Sequence, residues 1–127
     1  MKNRLIILLI TFCVSLSSHA ATCPAAETVD PAHPPAGWSL LIPPIFEDQQ
    51  YHFGKAIHSL NGSFYYLQVV CEYETCPTLG CAKYSLISAN TFETPNSRAA
   101  PWNTRPILSS TLVCQPPDHD PAACIFQ

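Results

Sequence analysis

The clearest alternation of apolar and polar positions along this chain runs from residue 63 to residue 74. One set of alternate positions is wholly apolar or aromatic: Tyr65, Leu67, Val69, Cys71 and Tyr73. The other set is mixed: Phe64, Tyr66, Gln68, Val70 and Glu72. A period of two residues is that of a β-strand with one buried face. The pattern therefore predicts a strand over residues 63–74.

Three other segments are also predicted to be strands: Trp38–Ile42, Ala82–Ser88 and residues 107–114. Their β-branched and aromatic content favours this structure. Alternation within Ala82–Ser88 predicts that Tyr84 and Leu86 face inward. Lys83 and Ser85 are expected to face outward.

Residues 47–60 carry two competing patterns. Helical spacing relates one set of side chains: Phe53, Ala56, Ile57 and Leu60. Strand alternation relates another: Tyr51, Phe53, Lys55 and Ile57. A helix therefore remains an alternative interpretation of this segment. We favour the strand, because Asn61-Gly62 is a typical hairpin turn that would join it to the next strand.

Prolines limit what else the chain can form. Many of the thirteen lie in residues 21–44 and 116–121, where their fixed φ and missing amide donor exclude helices. Residues 90–105 are rich in Pro, Asn, Ser and Thr and are predicted to form a loop. Five short strands without a convincing helix predict an all-β fold, either a small antiparallel sandwich or a barrel-like sheet.

The first twenty residues have the composition of a secretory signal peptide. A short basic start precedes an apolar run at residues 5–16 and a small-residue exit that ends at Ala20. The run is shorter than the roughly 20 apolar residues of a membrane span. We therefore expect residues 21–127 to be a single secreted β domain, periplasmic or extracellular, that does not insert into a membrane.

Six cysteines remain after this cleavage: Cys23, Cys71, Cys76, Cys81, Cys114 and Cys124. An even number in a small exported chain predicts a disulfide framework. The short interval from Cys76 to Cys81 contains Pro and Gly, so these two form the best single pair, at the turn of a hairpin. Strand orientation favours Cys71–Cys114 with Cys23–Cys124 for the rest. The pairing Cys23–Cys71 with Cys114–Cys124 is nearly as good.

Zinc coordination is the competing use of these cysteines, with residues 118–120 as further ligands. The spacing of Cys71, Cys76 and Cys81 is not that of the hairpin pairs typical of structural zinc sites. Export also favours oxidation of the thiols. We therefore expect neither a metal nor a cofactor.

Charge narrows the class of partner. Residues 21–127 hold nine acidic and four basic residues, a formal charge of −5. Such a chain gains nothing from counterion release on nucleic acid, and it lacks the basic stripe that attracts proteins to anionic lipid. We expect a protein or glycan partner rather than nucleic acid or membrane.

Recognisable catalytic motifs are absent from the sequence, which has no Gly-x-Ser-x-Gly elbow, no His-Glu-x-x-His pair and no Gly-rich phosphate loop. Residues 21–127 contain four histidines, which stand singly in extended or turn segments: His33, His52, His58 and His119. The cluster Asp118-His119-Asp120 is interpreted as a solvated turn. The carboxylate pairs Glu47-Asp48 and Glu72 with Glu74 are interpreted as exposed, so a hydrolase built on such a pair is the least favoured function.

Aromatic side chains are better candidates for a binding surface. The candidate residues are Trp102, Trp38, Phe64 and Tyr66, although a second sheet covering Phe64 and Tyr66 is a competing interpretation. The leading hypothesis is a non-catalytic domain, directed to a host or to the cell envelope, that binds through these residues and the loops 90–105 and 115–122. The alternative is an inhibitor of a secreted hydrolase that presents the loop 95–106.

Three short motifs follow one another along the chain in the order Cys-Pro, Phe-x-x-Ala and Cys-x-Tyr. They lie at Cys23-Pro24, at Phe53 to Ala56 and at Cys71 to Tyr73. In this order the chain resembles a family of small exported proteins of gram-negative bacteria whose function is uncharacterised. The resemblance implies export and a non-catalytic role, and it brings no site residues.

Overall fold

A computed structural model describes residues 21–59, 67–78, 80–93, 95, 102–105 and 108–127. At positions 104, 105 and 108–110 it describes the backbone alone. The predicted signal peptide at residues 1–20 lies outside the described residues, as do Phe64, Tyr66 and the Asn61-Gly62 turn.

The described residues form six strands in one antiparallel sheet. They are β1 (Trp38–Ile42), β2 (His52–Ser59), β3 (Val69–Thr75), β4 (Ala82–Ser88), β5 (Trp102–Arg105) and β6 (Leu108–Cys114). Their order across the sheet is β1-β4-β3-β2-β6-β5, and every neighbouring pair is antiparallel. The predicted all-β antiparallel class is therefore confirmed. The sheet is open, so it is not a barrel.

Two segments contain strands that the sequence left open or did not predict. Residues 47–60 contain the strand β2, not a helix, and the described part of the chain contains no α-helix, only 3-10 turns at Ala26–Thr28 and Pro121–Ala123. The prediction that residues 90–105 form only a loop is wrong, because Trp102–Arg105 is the strand β5. It pairs with β6 and makes the sixth strand.

The core lies on one face of the sheet. Alternate residues of the central strands are buried there, including Phe53, Tyr73 and Tyr84, and the last two rings stack with centroids 4.8 Å apart. The layer over this face includes the two segments at the limits of the described residues, 21–37 and 115–127, called the end segments here, which contribute Cys23 and Phe126. Irregular segments therefore take the place that a second sheet would fill in a sandwich.

The inward and outward faces of β4 follow the prediction at three of four positions. Tyr84 and Leu86 are buried and Lys83 is exposed. The prediction that Ser85 faces solvent is wrong, because only 2% of this residue is exposed. Its cross-strand partners are Glu72 and Ile42.

Three disulfides fasten the end segments and one hairpin: Cys23–Cys71, Cys114–Cys124 and Cys76–Cys81. The predicted Cys76–Cys81 pair is confirmed, and it closes the connection between β3 and β4. The favoured pairing of the other four cysteines is wrong and the second pairing is correct. The end segments still meet, but through backbone hydrogen bonds between Ala21 and Phe126 rather than through a Cys23–Cys124 bond.

The disulfides indicate the redox state of the compartment in which the protein is found. Three disulfides in a chain of this size indicate an oxidising compartment. No helix within the described ranges has the length and apolar character needed to cross a bilayer.

Candidate functional site

A groove of about 1210 Å³ opens beside the N-terminal end of β2. Three segments that are distant in the chain line it. They lie within residues 22–32 (the N-terminal wall), 40–53 (the central wall) and 119–122 (the C-terminal wall). The aromatic part of the lining comes from Tyr51, Phe53 and Tyr84. The rings of Tyr51 and Tyr84 meet edge to face with centroids 4.9 Å apart. The groove therefore combines a packed aromatic surface with three irregular walls.

Covalent and polar contacts hold the N-terminal wall on the sheet. The Cys23–Cys71 disulfide fastens it to β3, and Tyr73 Oη donates a hydrogen bond of 2.6 Å to the Pro24 carbonyl beside it. Burial raises the pKa of the Tyr73 phenol, so this hydroxyl keeps its proton and remains a donor. The N-terminal wall is thus attached to β3 at two adjacent points.

The other two walls are braced by their own side chains. Tyr51 Oη donates to the Phe46 carbonyl over 2.9 Å and so steadies the connection between β1 and β2. In the C-terminal wall, Asp120 Oδ1 accepts from the Ala122 amide over 2.9 Å and caps the second 3-10 turn. The second buried disulfide ties this wall to β6.

The groove is acidic. Its carboxylates are Glu27, Asp30, Glu47 and Asp120, and none of the described lining residues is Lys or Arg. Lys55 and Lys83 instead lie 3.7 and 3.0 Å from Glu72 Oε1, outside the groove. A hydrogen bond from His33 lowers the pKa of Asp30 and keeps that carboxyl ionised. Four carboxylates among described lining residues that include no Lys or Arg give the groove a negative potential.

An apolar rim adjoins the acidic lining. The connection between β1 and β2 exposes Ile45 and Phe46, with 78% and 40% of each residue accessible. Pro43 and Pro44, which precede them in sequence, line the groove itself. An exposed apolar cluster of this kind beside a groove is typical of an interaction surface.

Two histidines and a glutamate meet at one end of the groove. His52 begins β2 and lies opposite Glu74 of β3 in the strand register, with its Nε2 atom 3.5 Å from Glu74 Oε1. The His119 ring packs edge-on against the His52 ring, with centroids 4.4 Å apart. One ligand atom from each of the three residues lies within 4.8 Å of the others. The arrangement offers two imidazoles and one carboxylate to a cation.

A glycine makes room for the glutamate of this cluster. The pairing of β2 with β3 shifts register between Phe53 and Lys55, so Gly54 lies in a bulge. A Cβ atom at Gly54 would lie 3.3 Å from Glu74 Cδ and 3.4 Å from the Glu72 carbonyl oxygen. The absent side chain thus leaves the space that the Glu74 carboxylate uses.

The aromatic residues expected to form a binding surface have different positions. Trp102 is buried at 4% exposure, and its Nε1 donates to the Ile125 carbonyl over 3.0 Å. Trp38 is half-buried and packs edge-on against Phe126, with centroids 6.2 Å apart. Phe64 and Tyr66 lie outside the described residues. Trp102 therefore presents little surface to a partner, and binding through these four residues stays a prediction.

The acidic residues that the sequence analysis considered lie in different surroundings. Glu72 lies next to two lysines, whereas Glu74, two residues later on the same strand, faces His52. The turn at residues 118–120 is exposed as expected, yet His119 has a positive φ of 59° and belongs to the histidine cluster. A contact between His52 and His119 was not expected, because no local spacing relates residues 67 positions apart.

Comparison of the chain with protein-family models, curated proteins and solved structures finds no match.

Proposed function

We propose that this chain is an exported, non-catalytic binding domain that holds a cationic segment of another polypeptide in its groove. The observation that carries the proposal is the charge of the lining, four carboxylates with no described Lys or Arg among them. A groove with one sign of charge attracts and orients a ligand of the other sign.

Size and surface chemistry favour a polypeptide over a small molecule. A volume of about 1210 Å³ exceeds the roughly 300–1,000 Å³ of typical small-molecule pockets. The apolar rim of Ile45 and Phe46 directly precedes Glu47, one of the carboxylates of the lining. A segment that alternates Lys or Arg with apolar residues would satisfy both surfaces at once.

The rigidity of the walls supports binding as well. The Cys23–Cys71 and Cys114–Cys124 disulfides and the hydrogen bond from Tyr73 to Pro24 fix two of the three walls. A surface that is ordered before the partner arrives loses less conformational entropy on association.

Export is part of the same proposal. Three disulfides suit an oxidising compartment, and the predicted signal peptide at residues 1–20 would deliver the chain there. We place the domain in the periplasm or outside the cell, where a cationic segment of a host or envelope protein would be accessible to it.

Fluorescence anisotropy tests the proposed partner chemistry. The exported, oxidised protein is titrated into short labelled peptides that alternate Lys with Leu or Glu with Leu. We expect saturable binding of the lysine peptide, weakened by added salt, and no binding of the glutamate peptide. Equal affinity for the two peptides would overturn the proposal.

Carboxylate variants locate the binding surface. Each exposed ion pair contributes about 0.2–1 kcal/mol, so the double change Glu27→Gln and Glu47→Gln should weaken binding roughly 2- to 30-fold. Glu93→Gln is the matched control, because Glu93 is exposed but lies outside the groove lining. An equal loss in the control would mean that net charge rather than the groove attracts the peptide.

The other functions raised by the sequence gain no support from the described residues. The loop 95–106 expected of a hydrolase inhibitor lies mostly outside them, so that function stays a prediction. A hydrolase using Glu72 with Glu74 is disfavoured because Glu72 is paired with Lys55 and Lys83.

A further inference from the structure

We infer that His52, Glu74 and His119 form a zinc site at the rim of the groove. This inference goes beyond the proposed function and departs from the expectation, drawn from the sequence, that the chain binds no metal. It rests on the donor set, on the distances between the three side chains, and on the hydrogen bond that orients His119.

The distances suit a small tetrahedral ion. Bonds of about 2.0–2.2 Å from Zn²⁺ to nitrogen and oxygen place neighbouring ligand atoms about 3.4 Å apart. His52 Nε2 and Glu74 Oε1 already lie 3.5 Å apart. One nitrogen of His119 lies within 4.8 Å of both, so the three ligand atoms surround one small space.

The hydrogen bond of His119 selects the tautomer that a metal requires. His119 Nδ1 lies 3.1 Å from the Phe53 carbonyl oxygen. A carbonyl oxygen only accepts, so Nδ1 carries the proton and Nε2 carries the free lone pair. Metal-binding histidines typically donate their second nitrogen in this way to a carbonyl or carboxylate, which fixes the ring.

The neighbouring charges leave Glu74 available as a ligand. Lys83 is its partner in the strand register, but the Lys83 ammonium lies 3.0 Å from Glu72 Oε1. Glu72 therefore binds the described lysines of this face, and Glu74 faces His52. The space left by Gly54 allows this orientation of Glu74.

The chemistry of the donors identifies the class of ion. Two imidazoles and one carboxylate are the ligands of zinc sites that keep one coordination position open, whereas Mg²⁺ and Ca²⁺ prefer oxygen ligands alone. Exposure of 44% for the His52 side chain and 29% for that of Glu74 leaves the remaining position accessible to water or to a donor atom from a bound partner.

Competition with a chromophoric chelator tests the site on the exported, oxidised protein. We expect one Zn²⁺ per chain and no binding of Mg²⁺. The variants His52→Ala, His119→Ala and Glu74→Gln should each lower the Zn²⁺ affinity at least about tenfold. Zn²⁺ should also raise the Tm of the wild type, because it binds the folded state alone, and this shift should vanish in His119→Ala.

A matched control comes from a second histidine–carboxylate pair. His33 Nδ1 lies 3.1 Å from Asp30 Oδ2, and the His33 side chain is 86% exposed. His33→Ala should leave the Zn²⁺ affinity unchanged. Affinity that persists in both His52→Ala and His119→Ala, or that falls equally in His33→Ala, would overturn the inference. Circular dichroism and Tm of each metal-free variant establish that it is folded.

Nitrogen NMR gives a readout that does not depend on affinity. Long-range proton–nitrogen spectra should show the His119 Nδ1 protonated before and after Zn²⁺ is added, with the metal-induced shift on Nε2. A metal-induced shift on Nδ1 would contradict the proposed ligand atom. Titration of the lysine–leucine peptide in the presence of EDTA separates the two proposals, since groove binding does not require the metal.

Discussion

The Tyr73 hydroxyl donates a 2.6 Å hydrogen bond to the carbonyl oxygen of Pro24, which lies 49 residues earlier in the chain. The bond joins the N-terminal wall of the groove to β3. Tyr73→Phe should therefore lower the free energy of unfolding by about 0.5–1.5 kcal/mol. Each kcal/mol lost should lower the Tm by roughly 4–8 °C for a domain of this size. Urea denaturation measures the change.

The control for this variant is Tyr51→Phe. Its hydroxyl also donates to a backbone carbonyl, that of Phe46, but this hydrogen bond is exposed. We expect a loss below about 0.5 kcal/mol, because water replaces an exposed hydrogen bond. A Tyr73→Phe protein as stable as Tyr51→Phe would show that the bond to Pro24 does not stabilise the fold.

The three disulfides should differ in their contribution to stability. Their sequence separations are 48 for Cys23–Cys71, 10 for Cys114–Cys124 and 5 for Cys76–Cys81. In the chain-entropy account, loops of these lengths contribute about 4, 3 and 2 kcal/mol. Double Cys→Ala variants, compared by urea unfolding, should destabilise the fold in that order. Greatest loss from the exposed Cys76–Cys81 pair would contradict this account.

His58 should make stability depend on pH. It is fully buried in β2, where Nε2 donates to the Phe92 carbonyl over 3.1 Å. None of the described residues offers a partner to its Nδ1. Burial lowers the pKa of His58 below its ordinary value of 6.5, so the folded state disfavours the imidazolium. Above pH 6.5 both states hold the neutral ring, and His58 adds no pH dependence.

Below pH 6.5 the unfolded chain takes up a proton that folded His58 resists, so stability falls. The limiting slope is about 1.4 kcal/mol per pH unit, and it ends when the pH passes the lowered folded pKa. Urea unfolding at pH 7.5, 6.5 and 5.5, with EDTA present, measures it. His58→Gln keeps a side-chain N–H but does not titrate, so its profile should be flatter. Identical profiles for the two proteins would refute the assignment to His58.

Gly54→Ala should weaken the zinc site with little effect on the fold. Its φ lies outside the left-handed region, so alanine fits the backbone, but the new Cβ would lie 3.3 Å from Glu74 Cδ. We expect the Glu74 carboxylate to move away from His52 and the Zn²⁺ affinity to fall about tenfold or more. The loss of stability should stay below about 1 kcal/mol. Unchanged affinity would mean that Glu74 adapts without leaving the site.

The strands of the core were predictable because one buried face imposes a two-residue period. Burial of Val69, Cys71 and Tyr73 in β3 follows the predicted alternation. The strand β5 was missed because Trp102–Arg105 has only four residues, too few to show a period. It is recognised only by its pairing with β6, a contact that depends on the rest of the fold.

The candidate site was not predictable, because it depends on register and on cross-link pairing. A two-residue turn at Asn61-Gly62 with regular pairing would place Cys71 opposite His52, whereas Glu74 lies there. His119 arrives on a segment held by Cys114–Cys124, a pairing that spacing alone left open. The formal charge of −5 for residues 21–127 does not tell which of the carboxylates come together in one groove.

The edge strand β1 determines how readily two molecules of this protein can pair their strands at high concentration. Among the described residues, Trp38–Ile42 hydrogen-bonds only to β4, and its apolar sequence would suit the addition of a strand from another molecule. Pro34 and Pro35 precede it, and Pro43 and Pro44 follow. Proline has no amide hydrogen to offer an incoming strand, so such pairing is confined to the stretch between Pro35 and Pro43. The paired prolines on both sides of β1 thus limit strand addition at this edge and oppose fibril-like growth.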